Sequence, residues 1–243
     1  MARWLTDTVY NGTVGQGPHR GSTFGFLNRF GFLTLPLLVQ SPEGRSPAEV
    51  GEPELAAFSC GDVLARDAWD GRTILAVHGG GDPLYGPGHL HGDLNSFILV
   101  HNRERLLVDP GHSCYRNLVH ELEVRSSTHN TCTFELDTSN LNGKCAEAGG
   151  QVMLEQERQA RRIIDNGKPR PPVDRGARRL IAQHMDDVSV VGSEASALYG
   201  PPIQYFARFW LLCGPHALFV VDRVRAESPV FVHWNWLLNN RDG

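Results

Sequence analysis

Hydrophobic residues along this chain come in short runs rather than helical stripes. From about residue 56 onward, apolar and β-branched stretches of strand length recur at 63–68, 73–78, 96–100, 105–109, 131–136, 152–157, 188–191 and 207–212, bounded by Gly, Pro, Asn or Asp. Near the end, Val230, Val232, Trp234 and Trp236 alternate with Phe231, His233 and Asn235, the period of two that a sheet with unlike faces imposes. About ten strands with few helical stretches predict an all-β antiparallel sandwich. Trp210, Trp234 and Trp236 read as core, because their strands look buried.

The first 45 residues break this pattern. Gly12, Gly15, Gly17, Gly21 and Gly25 precede an apolar stretch at 30–39, and Ser41-Pro-Glu-Gly-Arg-Ser-Pro47 is turn and linker chemistry. The reading is a short irregular N-terminal arm or linker over 1–48, containing a helix remnant, followed by a β-sandwich domain over 49–243. There is no internal repeat.

Composition changes the picture mainly by exclusion. The formal net charge of −4 argues against a general nucleic-acid binder. No apolar run approaches the ~18 residues of a membrane span. Five cysteines with no C-x-x-C pair fit neither a disulfide framework nor a cysteine-built zinc site. Thr6-Asp7-Thr8 follows Met1-Ala-Arg-Trp-Leu directly, so no secretion signal develops. As written the chain reads as cytoplasmic, and as periplasmic or secreted if it is a fragment. One segment, 158–179, sets eight basic residues against Asp165 and Asp174. It reads as a solvated hairpin or loop, or more sharply as a positive rim that draws in an acidic ligand.

The chemistry concentrates in Gly86-Pro-Gly-His89-Leu-His91-Gly-Asp93-Leu-Asn-Ser-Phe97. His89 and His91 are two apart, so on a strand both imidazoles face one side, a common way to present two nitrogens to a divalent ion. Asp109 then closes a strand at Leu-Leu-Val-Asp109-Pro-Gly, and His129 leads into another at Ser-Thr-His129-Asn-Thr. Two imidazoles and a carboxylate from separate strands suit Zn²⁺, with room for a water or ligand. Register offers a check. A three-residue hairpin loop, His101 to Arg103, puts Asp109 on the face of the odd-numbered residues, whereas a two-residue loop reverses it. A bend is also required between His91 and the strand, and Gly92 is its expected place. Asp93 is assigned to holding that bend or bonding a neighbouring imidazole, and Asn130 to ordering its loop. His78, His101, His112, His120, His184, His216 and His233 receive no role.

The ordered set His89-Leu-His91-Gly-Asp93-Leu-Asn-Ser-Phe97, Leu-Leu-Val-Asp109-Pro-Gly and Ser-Thr-His129-Asn-Thr resembles the heparinase II/III-like polysaccharide lyases and their alginate-lyase relatives. Gly61-Asp-Val-Leu-Ala-Arg-Asp-Ala-Trp-Asp70, Arg208-Phe-Trp-Leu-Leu and Leu218-Phe-Val-Val-Asp222-Arg223-Val extend the likeness to roughly residues 55 to 238. The resemblance implies zinc in the sandwich, with His91, Asp109 and His129 as its ligands and His89 facing an acidic polysaccharide. It places Tyr115 near the scissile bond, so that His89 and Tyr115 carry the catalysis. It also implies a preceding α/α-toroid, as a domain or a partner chain. Residues 1–55 do not supply that toroid, and the end at Asn239-Asn-Arg-Asp-Gly243 reads as cut short.

A uronate lyase neutralises the carboxylate beside C5, removes the C5 proton and protonates the leaving oxygen. His89 suits the base or stabiliser and Tyr115 the acid, while zinc ties strands together. Two other readings compete with this one. One is a non-catalytic sandwich that binds acidic glycans or a partner. The other is a cupin-like metal-dependent oxygenase or isomerase, since H-x-H, an acid and a later histidine also describe that barrel.

Overall fold

In the computed structural model, the structure describes residues 44–81, 91–111, 122–135, 150–151, 164–165, 168–169 and 176–240. His89, Tyr115 and the strand expected at 152–157 lie outside the described residues. The chain divides into two units, Met1–Pro53 and Glu54–Gly243. In the first, a 3₁₀ turn at Ala48–Val50 ends at Gly51, whose φ of 71° is glycine territory. Its start is held by Ser46 and Glu49, each accepting the other's backbone N–H through its side chain.

In the second unit, alternation does what the sequence pattern requires. Strands β1 (Leu55–Ala57), β2 (Asp62–Arg66), β3 (Thr73–His78), β4 (Ser96–His101) and β5 (Glu104–Leu107) form an antiparallel meander in that order. β6 (Cys132–Glu135) follows, then the small hairpin β7 (Ile164–Asp165) and β8 (Lys168–Pro169) inside the basic segment. Strands β9 (Arg178–Met185), β10 (Val188–Glu194), β11 (Ile203–Cys213) and β12 (Ala217–Ala226) make the second large sheet, in the order β12-β11-β10-β9. β13 (Phe231–Trp234) returns to pair with β6.

In β2 and β3 every second residue points inward. Val63, Val77 and Phe97 are register partners across β2, β3 and β4, as are Ala65, Leu75 and Leu99. They pack on Val191, Trp210 and Leu212 of the second sheet. A second core gathers Leu94, Phe134, Leu198, Tyr199 and Phe206, with the rings of Phe134, Tyr199 and Phe206 edge to face. Each fully buried Leu or Phe contributes about 1.5–3 kcal/mol of transfer free energy. The fold is an all-β sandwich. Among the described residues no sheet closes into the barrel that the cupin reading needs, and no helix is long and apolar enough to cross a membrane.

Two expectations need correction. The β4–β5 loop has two residues, not three: Asn102 and Arg103, both with positive φ, turn the chain so that His101 opposes Glu104. A register shift between Leu99 and Val100 then brings Leu107 opposite Leu99. Odd residues again face odd ones, and a bulge achieves what the longer loop was expected to do. The second concerns β13. Trp210 is fully buried, but Trp234 and Trp236 are 55% and 44% exposed. The period of two fails there because the strand ends at Trp234, whose indole N–H reaches Asp222 at 2.8 Å instead of entering the core.

Candidate metal centre

His129 is the best-defined member of the site. A 3₁₀ turn at Ser126–Thr128 leads into it, and the Thr128 hydroxyl binds the Leu122 and Arg125 carbonyls. The imidazole is buried, with Nδ1 2.7 Å from the Arg125 carbonyl oxygen. A carbonyl only accepts, so Nδ1 carries the proton and Nε2 presents its lone pair. That nitrogen lies 3.4 Å from His91 Nδ1 and 3.6 Å from Asp109 Oδ2.

His91 does not lie on a strand as expected; it precedes a bend at Gly92, with β4 beginning only at Ser96. Gly92 is where the bend was expected, and its packing explains the residue. Its N–H binds the Val124 carbonyl, and a Cβ there would sit 2.8 Å from Ser126 Oγ. A glycine therefore lets the His91 segment lie against the turn that leads to His129. Asp109 is oriented from the other side. Its Oδ1 accepts the Gly111 N–H at 2.8 Å, while Oδ2 is the oxygen near His129.

Asp93, rather than Asp109, completes a set in which every member lies close to every other; Asp109 reaches it through His129. One donor atom from each of His91, Asp93 and His129 lies within 4.8 Å of the other two. The spacings suit a metal. Bonds of about 2.0–2.2 Å to tetrahedral zinc set ligand atoms about 3.3–3.5 Å apart. The His91–His129 and His129–Asp109 distances lie near that edge length and beyond a good hydrogen bond.

Asn130 braces the site, itself held by Arg208, whose Nη1 donates to its carbonyl. Asn130 donates to the Phe97 and Val108 carbonyls, and its Oδ1 accepts the Leu237 N–H. It thus orders its loop, fixing the chain beside Asp109 relative to His129. Gln151 bonds both Leu94 backbone groups and takes Ser126 Oγ on its own N–H. Burial drives the Cys132 thiol up to about 12 and raises the Tyr199 hydroxyl as well, so both stay neutral.

A cavity of about 530 Å³ adjoins the group, lined among others by Phe58, Leu64, Asp62, His78, Asp93 and Asp109. Sequence reasoning gave His78 no role, yet its Nδ1 is 2.6 Å from Asp62 Oδ1 and its Nε2 is 3.5 Å from Asp93 Oδ1. The signal lay in strand register, since Asp62 and His78 are cross-strand partners.

Comparison with known proteins places this geometry in context. The family model "Heparinase II/III-like, C-terminal" matches residues 57–241. No curated protein matches the sequence. Among solved structures, the heparan sulfate lyase HepC from Pedobacter heparinus is similar over 86% of this chain and 27% of its own, with 15% identity and a TM-score of 0.51. A mutant of that lyase gives 14% identity, coverage of 85% and 26%, and a TM-score of 0.52. A heparinase III gene product gives 15%, 88% and 27%, and 0.51. At such identities the likeness concerns the fold alone. The chain spans about a quarter of the length of these structures.

Proposed function

Because the chain belongs to the heparinase II/III-like family through that family's C-terminal domain, we propose that it is the metal-bearing sandwich of a polysaccharide lyase acting by β-elimination on uronate-containing acidic glycans. The protein is related to polysaccharide lyases; the reaction, the substrate class and the metal are the proposal. One observation carries it: the His129 tautomer, fixed on the Arg125 carbonyl, turns Nε2 toward His91 and Asp109 at ligand-like spacings. In this reading His91, Asp109 and His129 hold Zn²⁺. The ion would supply a rigid cross-link between segments far apart in sequence.

His89, two residues before His91, would take the C5 proton or steady the developing enolate, and Tyr115 would protonate the leaving oxygen. The cavity itself is a poor seat for a uronate. Asp62, Asp93 and Asp109 line it, and like charges repel more strongly where water is partly excluded. The glycan carboxylate is better served by His89 and by the basic segment 158–179. Elimination also needs a second wall, because misplacing the reacting groups by about 1 Å costs ~100-fold. A helical toroid, in the same protein or a partner chain, would provide it.

The test incubates the chain, alone and joined to an α/α-toroid domain, with heparan sulfate, heparin, alginate, hyaluronan and chondroitin. The ultraviolet absorbance of the unsaturated uronate product is followed. The expected result is little product from the chain alone and turnover in the joined form that His89→Ala abolishes. Robust turnover by the chain alone would overturn the need for a second wall. Glycan binding without product in the joined form would favour a non-catalytic glycan-binding sandwich.

A further inference from the structure

Asp62, His78 and Asp93 form a chain of contacts for which the ligand set above has no use. Asp62 and His78 face each other at the paired ends of β2 and β3. With Nδ1 only 2.6 Å from the Asp62 carboxylate and Nε2 facing that of Asp93, both acceptor-only groups when ionised, His78 bonds the two by carrying a proton on each ring nitrogen. The ring is thereby fixed, and Nε2 lies 3.5 Å from Asp93 Oδ1. Asp93 is reached from His91 across the Gly92 bend, and its donor atom lies within 4.8 Å of those of both His91 and His129.

Resting on the metal reading above, we infer that Asp93 is a further protein ligand of that ion, kept in position by His78 and Asp62. Charge favours this. Two neutral imidazoles and Asp109 offset only one of the two charges of a divalent cation, and a second carboxylate balances the other. Coordination number points the same way. Structural zinc sites have four protein ligands and no exchangeable position, and His91, Asp93, Asp109 and His129 make four. Sequence spacing gives Asp93 the reach: its carboxylate arrives from the residue after the bend, while Asp109 and His129 arrive from other segments. The Asp62–His78 pair then has the task that outer partners of ligands generally perform, holding a donor in one orientation so that little freedom is lost on binding.

The experiment measures Zn²⁺ affinity by competition with a chromophoric chelator, and loads the same full chain with Co²⁺ for visible spectra with and without azide. The expected wild-type Co²⁺ spectrum is tetrahedral and indifferent to azide. Asp93→Ala and the isosteric Asp93→Asn should bind Zn²⁺ more weakly, and the Co²⁺ form of Asp93→Ala should respond to azide through its vacated position. His78→Ala should lower affinity by about 10–100-fold, the usual effect of removing an outer partner, without opening the site to azide. Circular dichroism of the metal-free variants establishes that they fold. Unchanged affinity in both folded Asp93 variants, or an azide response in the wild type, would overturn the inference. An azide response in His78→Ala would also overturn it, by making His78 itself the ligand. His129→Ala separates the two levels: if it abolishes binding while the Asp93 variants do not, the metal centre stands and this inference falls. A wild-type chain that binds neither ion takes down both.

Discussion

Arg208 and Asp222 form a two-pronged buried ion pair across β11 and β12, with Nε to Oδ1 at 2.7 Å and Nη2 to Oδ2 at 2.8 Å. What remains of the guanidinium supports the candidate metal centre. Nη1 donates to the Asn130 carbonyl at 2.8 Å and the Asn95 carbonyl at 3.2 Å. One carbonyl directly follows His129, and the other lies two residues beyond Asp93. Both segments therefore rest on a single charged group with no exposed surface. Burial alone would lower the basicity of this guanidinium. The bonds to Asp222 outweigh it and raise the group above its ordinary range, so it stays charged.

The first prediction concerns that pair. Arg208→Met leaves the Asp222 carboxylate buried without its main partner and frees the Asn95 and Asn130 carbonyls. Breaking a buried pair from one side costs about 3–5 kcal/mol, which urea unfolding should read as a lower midpoint with an unchanged slope. A loss under ~1 kcal/mol, the scale of an exposed pair, would mean that water replaces the guanidinium and that it does not brace the site.

A second prediction follows from the His129 geometry. His129→Ala should abolish Zn²⁺ binding, and the zinc-dependent rise in melting temperature expected of the wild type should be absent. Full zinc occupancy in that variant, measured by atomic emission after gel filtration, would show that the ligand set is wrong.

Much of the fold was legible because burial in a sandwich alternates. Thr73-Ile-Leu-Ala-Val-His78 reads as a strand and is β3 without adjustment. Strand β9 was missed because Arg178-Arg-Leu-Ile-Ala-Gln-His-Met185 covers no clean face; none of its side chains is buried. The tryptophans of the C-terminal stretch misled for a related reason. A large aromatic raises the expectation of burial, whereas Trp234 uses its N–H at the rim and Trp236 sets its edge against Phe97. At the site, His91, Asp109 and His129 were visible as motifs. His78 and Arg208 were not, since their roles come from cross-strand partners, Asp62 and Asp222, that only register discloses.

The run Gly79-Gly80-Gly81 supplies a third prediction. A Cβ on Gly80 would lie 2.0 Å from the Arg178 nitrogen and 2.1 Å from the Ala177 carbonyl carbon, and the Gly80 N–H binds Ser193 Oγ at 2.8 Å. Backbone meets backbone here, where β3 leaves its sheet beside the start of β9, and no flexible side chain can give way. Gly80→Ala should cost at least the ~1–3 kcal/mol typical of overpacking. Gly111→Ala is a different case: its positive φ brings strain, but open space surrounds it, so the loss should be smaller. Thermal melts of the two variants side by side check the order.

The last prediction is a pH dependence at Asp67, which closes the turn between β2 and β3. Burial pushes its carboxyl upward, but backbone N–H bonds from Arg72, Thr73 and Ala68 together outweigh this and hold it below its ordinary value. A carboxyl depressed in the folded state contributes stability that is fully present above its unfolded value of about 3.9. That contribution is lost as the pH falls through the folded value, because protonation removes the charge the three N–H groups favour. Asp67→Asn keeps one carbonyl acceptor and loses the charge. Since the site is partly solvated, the variant should be less stable by about 1 kcal/mol at neutral pH. The gap should hold steady down to the unfolded value and then close in more acidic solution. Urea unfolding of both proteins across the acid range measures it. A gap that stays constant to the lowest pH, or widens there, would show that the turn does not depend on the ionised carboxylate.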